Sequence, residues 1–245
     1  MRAILTFHSI DDSGSIISYP RKKFSTLLEK LRKSDIPILS LDEILASPSK
    51  QGVAITFDDG MRSVYKDALP ILKEYNAPAH VFIATAAIKN SDSSEQVINI
   101  EDYDMLSWGE IEKLLASGIQ IEAHTHRHPD MRTISREQIL EEFHLSHEIL
   151  ASKIGVKPNY FAYPFGYHNQ LARDCASEFY TASLTTELKP LPKSYDIAAI
   201  PRLDSFYFQT SKTINKLDTP LMEVYLKLRN FMRNLKGSQC KATAV

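Results

Sequence analysis

A chain of 245 residues that is 43% hydrophobic and 24% charged can bury one large core, and its net charge of −1 gives no electrostatic basis for binding nucleic acid. Cys175 and Cys240 lie too far apart in sequence to suggest a disulfide framework, and no apolar run reaches the 18 residues of an integral membrane span. The opening MRAILTFHSIDDSGS is too short and too polar for a secretory signal core, so the expected location is the cytoplasm.

In chain order, apolar runs alternate with helical periodicities. RAILTFH predicts a buried strand, and RKKFSTLLEKLRKSD sets Phe24, Leu27, Leu28 and Leu31 at helical spacing. PILSL and VAITFDDG predict two strands, the second closed by a glycine. SVYKDALPILKEYN reads as a helix kinked or split at Pro70. After the strand AHVFIAT comes the polar stretch 90–104, expected as a flap over a site. SWGEIEKLLASG predicts a helix with Ser107 as N-cap, Glu110 three residues on, and Gly118 at its end. IQIEAH is a strand, and Ser135 to Gly155 forms a long amphipathic helix. NYFAYPFG, QLARDCASEFY, TASLTT and IAAIPRLDSF read as strand, helix, strand and strand. LMEVYLKLRNFMRNLKG predicts a C-terminal amphipathic helix carrying Lys227, Arg229, Arg233 and Lys236, on the outside of the fold or, as the alternative, peripherally on a membrane surface. Repeated βα units imply an α/β fold with a parallel sheet, closed as a barrel or doubly wound. Neither GxGxxG nor GxxxxGK[ST] occurs, which counts against the nucleotide-binding versions of that architecture.

In such folds the working side chains sit at the C-terminal ends of the strands. This chain places His8, Asp58, Asp59, His124, Pro164-Phe165-Gly166, Arg202 and Asp204 there. Along a continued strand His124 and His128 would stand roughly 13 Å apart, too far to share one ion. One helical turn brings positions i and i+4 to about 6 Å along the axis, so a turn at Thr125, stopped by Pro129, lets this pair converge. The rival pairing of His124 with His126 needs a third ligand from another strand, and spacing leaves it open. The adjacent carboxylates Asp58 and Asp59 diverge on a strand, so one can bind a metal while the other accepts a proton. His80, inside an apolar strand, is expected to be a satisfied core histidine. His144 and His147 are expected to be packing or solvated groups, and Trp108 to pack between its helix and the sheet.

The blocks AITFDDG, LPILKEYNAPAHVFIAT, LSWGEIEKLLASGIQIEAHTHRHPDM and EILASKIGVKPNYFAYPFG resemble, in order and spacing, the NodB-type polysaccharide deacetylases, carbohydrate esterase family 4. The resemblance runs over about residues 3–203. It implies a distorted (β/α) barrel, complete or incomplete, here assigned to residues 1–215, with 216–245 as a C-terminal helix and tail. It further implies a hydrolase of non-peptide carbon–nitrogen bonds that removes N-acetyl, less readily O-acetyl, groups from a poly- or oligosaccharide by metal-activated water. Carried over, Asp59, His124 and His128 hold a divalent metal, Zn2+ first and Co2+, Ni2+ or Mn2+ as alternatives. Asp58 is the general base, the backbone N–H of Phe165 an oxyanion donor, and Tyr163, Pro164 and Phe165 line the sugar site. Two departures stand out. Ala162 occupies the place of the family's arginine, so Arg202 is assigned the task of orienting Asp58. No histidine follows His168, so His8, on the strand expected beside the last, is assigned as general acid. The rival readings are a carbohydrate-binding relative of weakened activity and an amidohydrolase-type enzyme built on HxH.

Overall fold

The computed structural model describes residues 1–89, 100, 103–209, 213, 219, 224–226 and 228–230. Its elements follow in the order β1 (Arg2–Phe7), β2 (Ser9–Ile10), β3 (Ser18–Tyr19), α1 (Arg21–Lys33), β4 (Ile38–Leu39), α2 (Leu41–Leu45) and β5 (Gly52–Phe57). Then come α3 (Leu69–Glu74), β6 (His80–Ile83), α4 (Trp108–Leu115), β7 (Gln120–Ala123), α5 (Arg136–Ile154), β8 (Tyr160–Ala162), α6 (Gln170–Phe179), β9 (Ala182–Leu188) and β10 (Ile200–Asp204). The helix around Pro70 is split, as expected: a π-helical turn over Val64–Ala68 hands over to α3, which takes the proline into its first turn, where its missing N–H costs nothing. Ser107 with Glu110, and Ser135 with Gln138, form reciprocal capping boxes at the starts of α4 and α5. Gly155 ends α5 in the left-handed conformation that glycine adopts without penalty.

The strands close into a parallel ring in the order β1-β10-β9-β8-β7-β6-β5, with β5 pairing back to β1 from Arg2↔Gly52 to Phe7↔Phe57. This is a seven-stranded barrel. β4 is too short to take a place in the ring. It pairs only with the first half of β5 (Ile38↔Val53, Leu39↔Ala54), while β6 takes the second half (Thr56↔His80, Phe57↔Val81).

Strand alternation divides the core in two. Leu5, Phe7, Ile55, Phe57, Val81 and Ile83 face outward beneath α1, α3 and α4. Ile4, Ala54, Phe82, Ala162, Leu184 and Ile200 fill the ring, and Leu39, Leu41 and Ile44 close its N-terminal end. Each Val, Leu, Ile or Phe among them, fully buried, stabilises by about 1.5–3 kcal/mol. The floor is polar but paired. The Leu41 N–H donates to His80 Nε2 at 2.9 Å, which fixes the ring's proton on Nδ1, 3.1 Å from Glu122 Oε1. Glu122 Oε2 also accepts from the backbone N–H groups of Asn159 and Tyr160. His80 is thus the satisfied core histidine that its strand position implied.

His144 and His147 pack their rings on Phe179, and His147 also on Tyr180. Trp108 packs against the outer core cluster. No helix among the described residues is long and apolar enough to cross a membrane. The domain boundary at 215/216 and most of the expected C-terminal helix fall outside the described residues; those described at 224–226 and 228–230 are helical. Of the expected flap 90–104, the described residues are Ile100, Tyr103 and Asp104.

Candidate active site

β5 ends at Phe57, and the next two side chains leave the strand in different directions. Asp58 turns into the ring. Arg202 of β10 meets it there, Nη1 donating to Oδ1 at 2.8 Å and Nη2 to Oδ2 at 2.6 Å. The guanidinium is fully buried and two more of its donors are used: Nε reaches the Thr185 carbonyl at 3.0 Å and Nη1 reaches Thr56 Oγ1 at 3.1 Å. Burial works against the Asp58 charge, but the Arg202 charge and its paired hydrogen bonds outweigh it, so the carboxyl lies below the ordinary carboxylate range. The guanidinium that meets Asp58 thus comes from β10, while Ala162 stands on β8.

Asp59 adopts a φ of 71° and Gly60 one of 90°, a tight turn that swings the second carboxylate away from the first. Asp59 Oδ1 lies 3.2 Å from His124 Nε2 and 3.5 Å from His128 Nε2, and one ligand atom of each residue falls within 4.8 Å of the others. Burial again opposes the charge on Asp59, yet the His124 hydrogen bond and the neighbouring imidazoles hold its pKa well down. Burial likewise opposes protonation of His124, and its bond to Asp59 with both aspartate charges raises its pKa instead.

The histidines converge as the i, i+4 spacing required. Thr125 (φ 67°) and His128 (φ 61°) both take left-handed backbone, curling residues 124–128 into a turn. Thr125 Oγ1 donates to the His124 carbonyl and accepts from the His128 N–H at 3.0 Å. His126 points elsewhere, its Nδ1 2.8 Å from Thr85 Oγ1.

This donor set fits a metal ion. His124 Nδ1 lies 2.6 Å from the Ala162 carbonyl, which can only accept, so Nδ1 carries a proton and Nε2, the nitrogen directed at Asp59, is the one that would give up its proton to ligate. Ligands at about 2.0–2.1 Å from a tetrahedral zinc lie about 3.3–3.4 Å from one another, and the two spacings from Asp59 bracket that value. Three protein ligands with a fourth position open is the composition of a catalytic zinc site.

His8, Ile17, Ile100, Tyr103, Phe165, Gly166 and Thr186 complete the cavity over these groups. His8 lies there because β1 is hydrogen-bonded beside β10, the adjacency expected from the sequence (Leu5↔Leu203). Asp204 has no part in the site; it caps the turn Ser205–Phe208 through the Phe206 N–H.

Two assignments need correction. Tyr163 is fully buried and does not line the cavity; its hydroxyl donates to the Ala198 carbonyl at 2.9 Å and its ring packs on Phe161. Two residues after Phe161, it shares that residue's outward face by strand alternation, beneath α5 and α6. Pro164 is buried in the turn Pro164–Gly166 and is likewise not among the residues bordering the cavity. Phe165 reaches the cavity because its φ of 59° reverses the chain, and its ring lies 4.6 Å from that of His128.

That reversal depends on Gly166. A Cβ there would stand 2.1 Å from Thr186 Oγ1 and 2.6 Å from the Thr186 backbone nitrogen, at a φ of 71° that disfavours any side chain. Gly166→Ala should therefore lower stability by about 1–3 kcal/mol through overpacking and displace Phe165. An unchanged urea midpoint would show that the turn tolerates the methyl group. Neither the Gly166–Thr186 contact nor Thr85 was visible in the sequence, because both depend on which strands become neighbours. Glu142, which binds the turn from behind, did leave a sequence signal: it is a charged residue on the apolar face of α5.

Known proteins resemble this chain in sequence and in fold. The family model described as polysaccharide deacetylase matches residues 46–181. The chain is 26% identical over 207 residues to a putative polysaccharide deacetylase, YxkH, of Bacillus subtilis, a match covering 82% of this chain and 70% of that protein. It is 28% identical over 169 residues to a poly-beta-1,6-N-acetyl-D-glucosamine N-deacetylase of Staphylococcus aureus, covering 62% of this chain and about half, 55%, of that protein. In fold it resembles Streptococcus pyogenes deacetylase PplD in complex with acetate (TM-score 0.77, 22% identity, 89% of this chain and 97% of that one). It also resembles IcaB from Ammonifex degensii (TM-score 0.73, 21% identity, 88% and 98%).

Proposed function

The chain belongs to the polysaccharide deacetylase family, and from that premise we propose that it is a metal-dependent N-deacetylase, cleaving the acetamide bond of an N-acetylated poly- or oligosaccharide to release acetate and leave a free amine. The observation that carries the reading is the pairing of a bidentate Asp58–Arg202 couple with the Asp59, His124 and His128 donor set at one end of the barrel. A molecule that only bound carbohydrate would need neither a held base nor convergent ligands. A divalent metal would be held by Asp59, His124 and His128, with zinc best suited to two imidazoles and a carboxylate, and cobalt, nickel or manganese as alternatives. When bound, it supplies polarisation of the acetyl carbonyl and lowers the pKa of water from about 15.7 to near 7.

The chain's own residues do the rest. Asp58, held ionised by Arg202, accepts the proton of the attacking water. The Phe165 N–H donates to the oxyanion that develops on the acetyl oxygen. His8 gives a proton to the departing amine, the role for which the last strand offers no histidine. Oligomers of β-1,6-linked N-acetylglucosamine are the first substrates to try, given the activity named for the Staphylococcus aureus relative. Stoichiometric acetate release from them, abolished by a chelator and restored by zinc, is the expected result. No acetate from a metal-loaded protein that still binds the oligomer would favour the binding-only alternative.

The assignment of His8 has its own test. Imidazole can give up a proton close to neutral pH, so His8→Gln should lower kcat, leave metal content unchanged, and flatten the alkaline limb of the pH–rate profile. A variant matching the parent in both turnover and that limb would return the proton transfer to Asp58, recycling what it took from water.

A further inference from the structure

Helix α5 buries Ile139, Phe143, Ser146 and Leu150 against the barrel, and Glu142 lies on the same face, only 4% exposed. A carboxylate in such a place is retained only when its charge and lone pairs are met. They are met by a single segment. Oε2 accepts the backbone N–H of His126 at 2.8 Å and that of Arg127 at 2.7 Å, and Oε1 accepts Arg127 Nη1 at 2.9 Å. These two amides lie between His124 and His128, inside the turn that takes left-handed backbone at Thr125 and at His128 without a glycine at either position. Non-glycine residues adopt that backbone only where their surroundings enforce it. Within the turn the backbone is tied by Thr125 Oγ1, and at its flank by the Ala86 N–H donating to the His126 carbonyl at 3.0 Å. From behind, the Glu142 carboxylate accepts its two central amides.

We propose that Glu142 is a positioning residue for the metal centre: by accepting the amides of His126 and Arg127, it holds the histidine turn in the curled form in which His124 and His128 converge on Asp59. It touches neither the ligand atoms nor the cavity, and it acts through the backbone. The proposal rests on the reading of Asp59, His124 and His128 as ligands, and its test must fail separately from that reading.

The test compares zinc affinity, by competition with a chromophoric chelator, in the full-length parent, Glu142→Gln and Glu141→Gln. Cobalt absorption spectra and melting of the metal-free proteins are read alongside. Glutamine keeps the size of the side chain, but its NH2 group cannot accept. One side of the network, the paired amides or the guanidinium, then faces a donor with a donor. The expected result for Glu142→Gln is zinc affinity lower by about 10–100-fold, the usual consequence of losing a group that orients metal ligands. Its cobalt spectrum should be altered, while the metal-free protein still melts cooperatively. Glu141, exposed and reaching only Arg127 Nη2 at 3.1 Å, should show no change on substitution. If Glu142→Gln does not fold, Glu142→Asp, which keeps the charge and withdraws it by one methylene, is read in the same way. A parent that binds no zinc overturns the ligand assignment. A parent that binds, with a folded Glu142 variant within threefold of it and an unaltered cobalt spectrum, overturns the role of Glu142 alone.

Discussion

Asp58→Asn is expected to retain its metal and to turn over about 10²–10⁴-fold more slowly, the usual worth of a positioned general base. The amide matches the carboxylate in shape, so substrate affinity should change little and the loss should fall on kcat. The structure adds a second consequence. Arg202 is fully buried and Asp58 is its charge partner, and removing one member of such a pair leaves the other uncompensated, at a cost of about 3–5 kcal/mol. Because Asp58 sits below its ordinary pKa in the folded protein, its contribution to stability is present above the unfolded value of about 3.9 and is lost as pH falls through the folded value. Parent and variant should therefore differ most at neutral pH and converge in acid, below about pH 4. Rates have to be taken well below the variant's melting transition. Near-normal turnover by a folded Asp58→Asn enzyme would remove Asp58 as the base.

The metal ligands admit an equally sharp separation. Asp59→Ala or His128→Ala should abolish tight zinc binding, because each removes one of three donors that lie within 4.8 Å of one another. His126→Ala should leave binding largely intact, since that ring is directed at Thr85, on the far side of the turn. Zinc content by atomic absorption after dialysis distinguishes the outcomes. If His126→Ala lost the metal and His128→Ala kept it, the ligand set would be an extended HxH pair and the turn would have to open on binding.

Much of this was legible in the sequence, because the informative features are local. Strand and helix periodicities, the capping residues Ser107 and Ser135 and the stop at Gly155 act within one turn of chain and appear where the pattern put them. The i, i+4 spacing of His124 and His128 constrains the backbone between them so tightly that a turn was the only way for both to reach one ion. What escaped depends on contacts between distant segments. Tyr163 was misplaced because its role depends on whether the strand keeps its alternation for two residues beyond Phe161, and only then reverses at Phe165. The count of seven strands in the ring follows from β1 pairing with β5 along its whole length, which leaves the two-residue β4 to share the other edge of β5 with β6. Glu142 was not singled out from the sequence, although a carboxylate on the apolar face of α5 calls for a partner.

The Asp58–Arg202 couple bears on how relatives of this chain are sought. Side chains inside a closed cylinder all project toward one axis, so the depth from which a charge is presented counts for more than the wall segment that bears it. Ala162 and Arg202 stand on strands separated only by β9, and both point inward. A guanidinium hung from β10 thus meets Asp58, while the inward position on β8 carries only the methyl group of Ala162. A search that demands arginine in the linear position of Ala162 would discard this chain as defective. One that asks for a guanidinium within reach of Asp58, whatever its address in the sequence, would keep it.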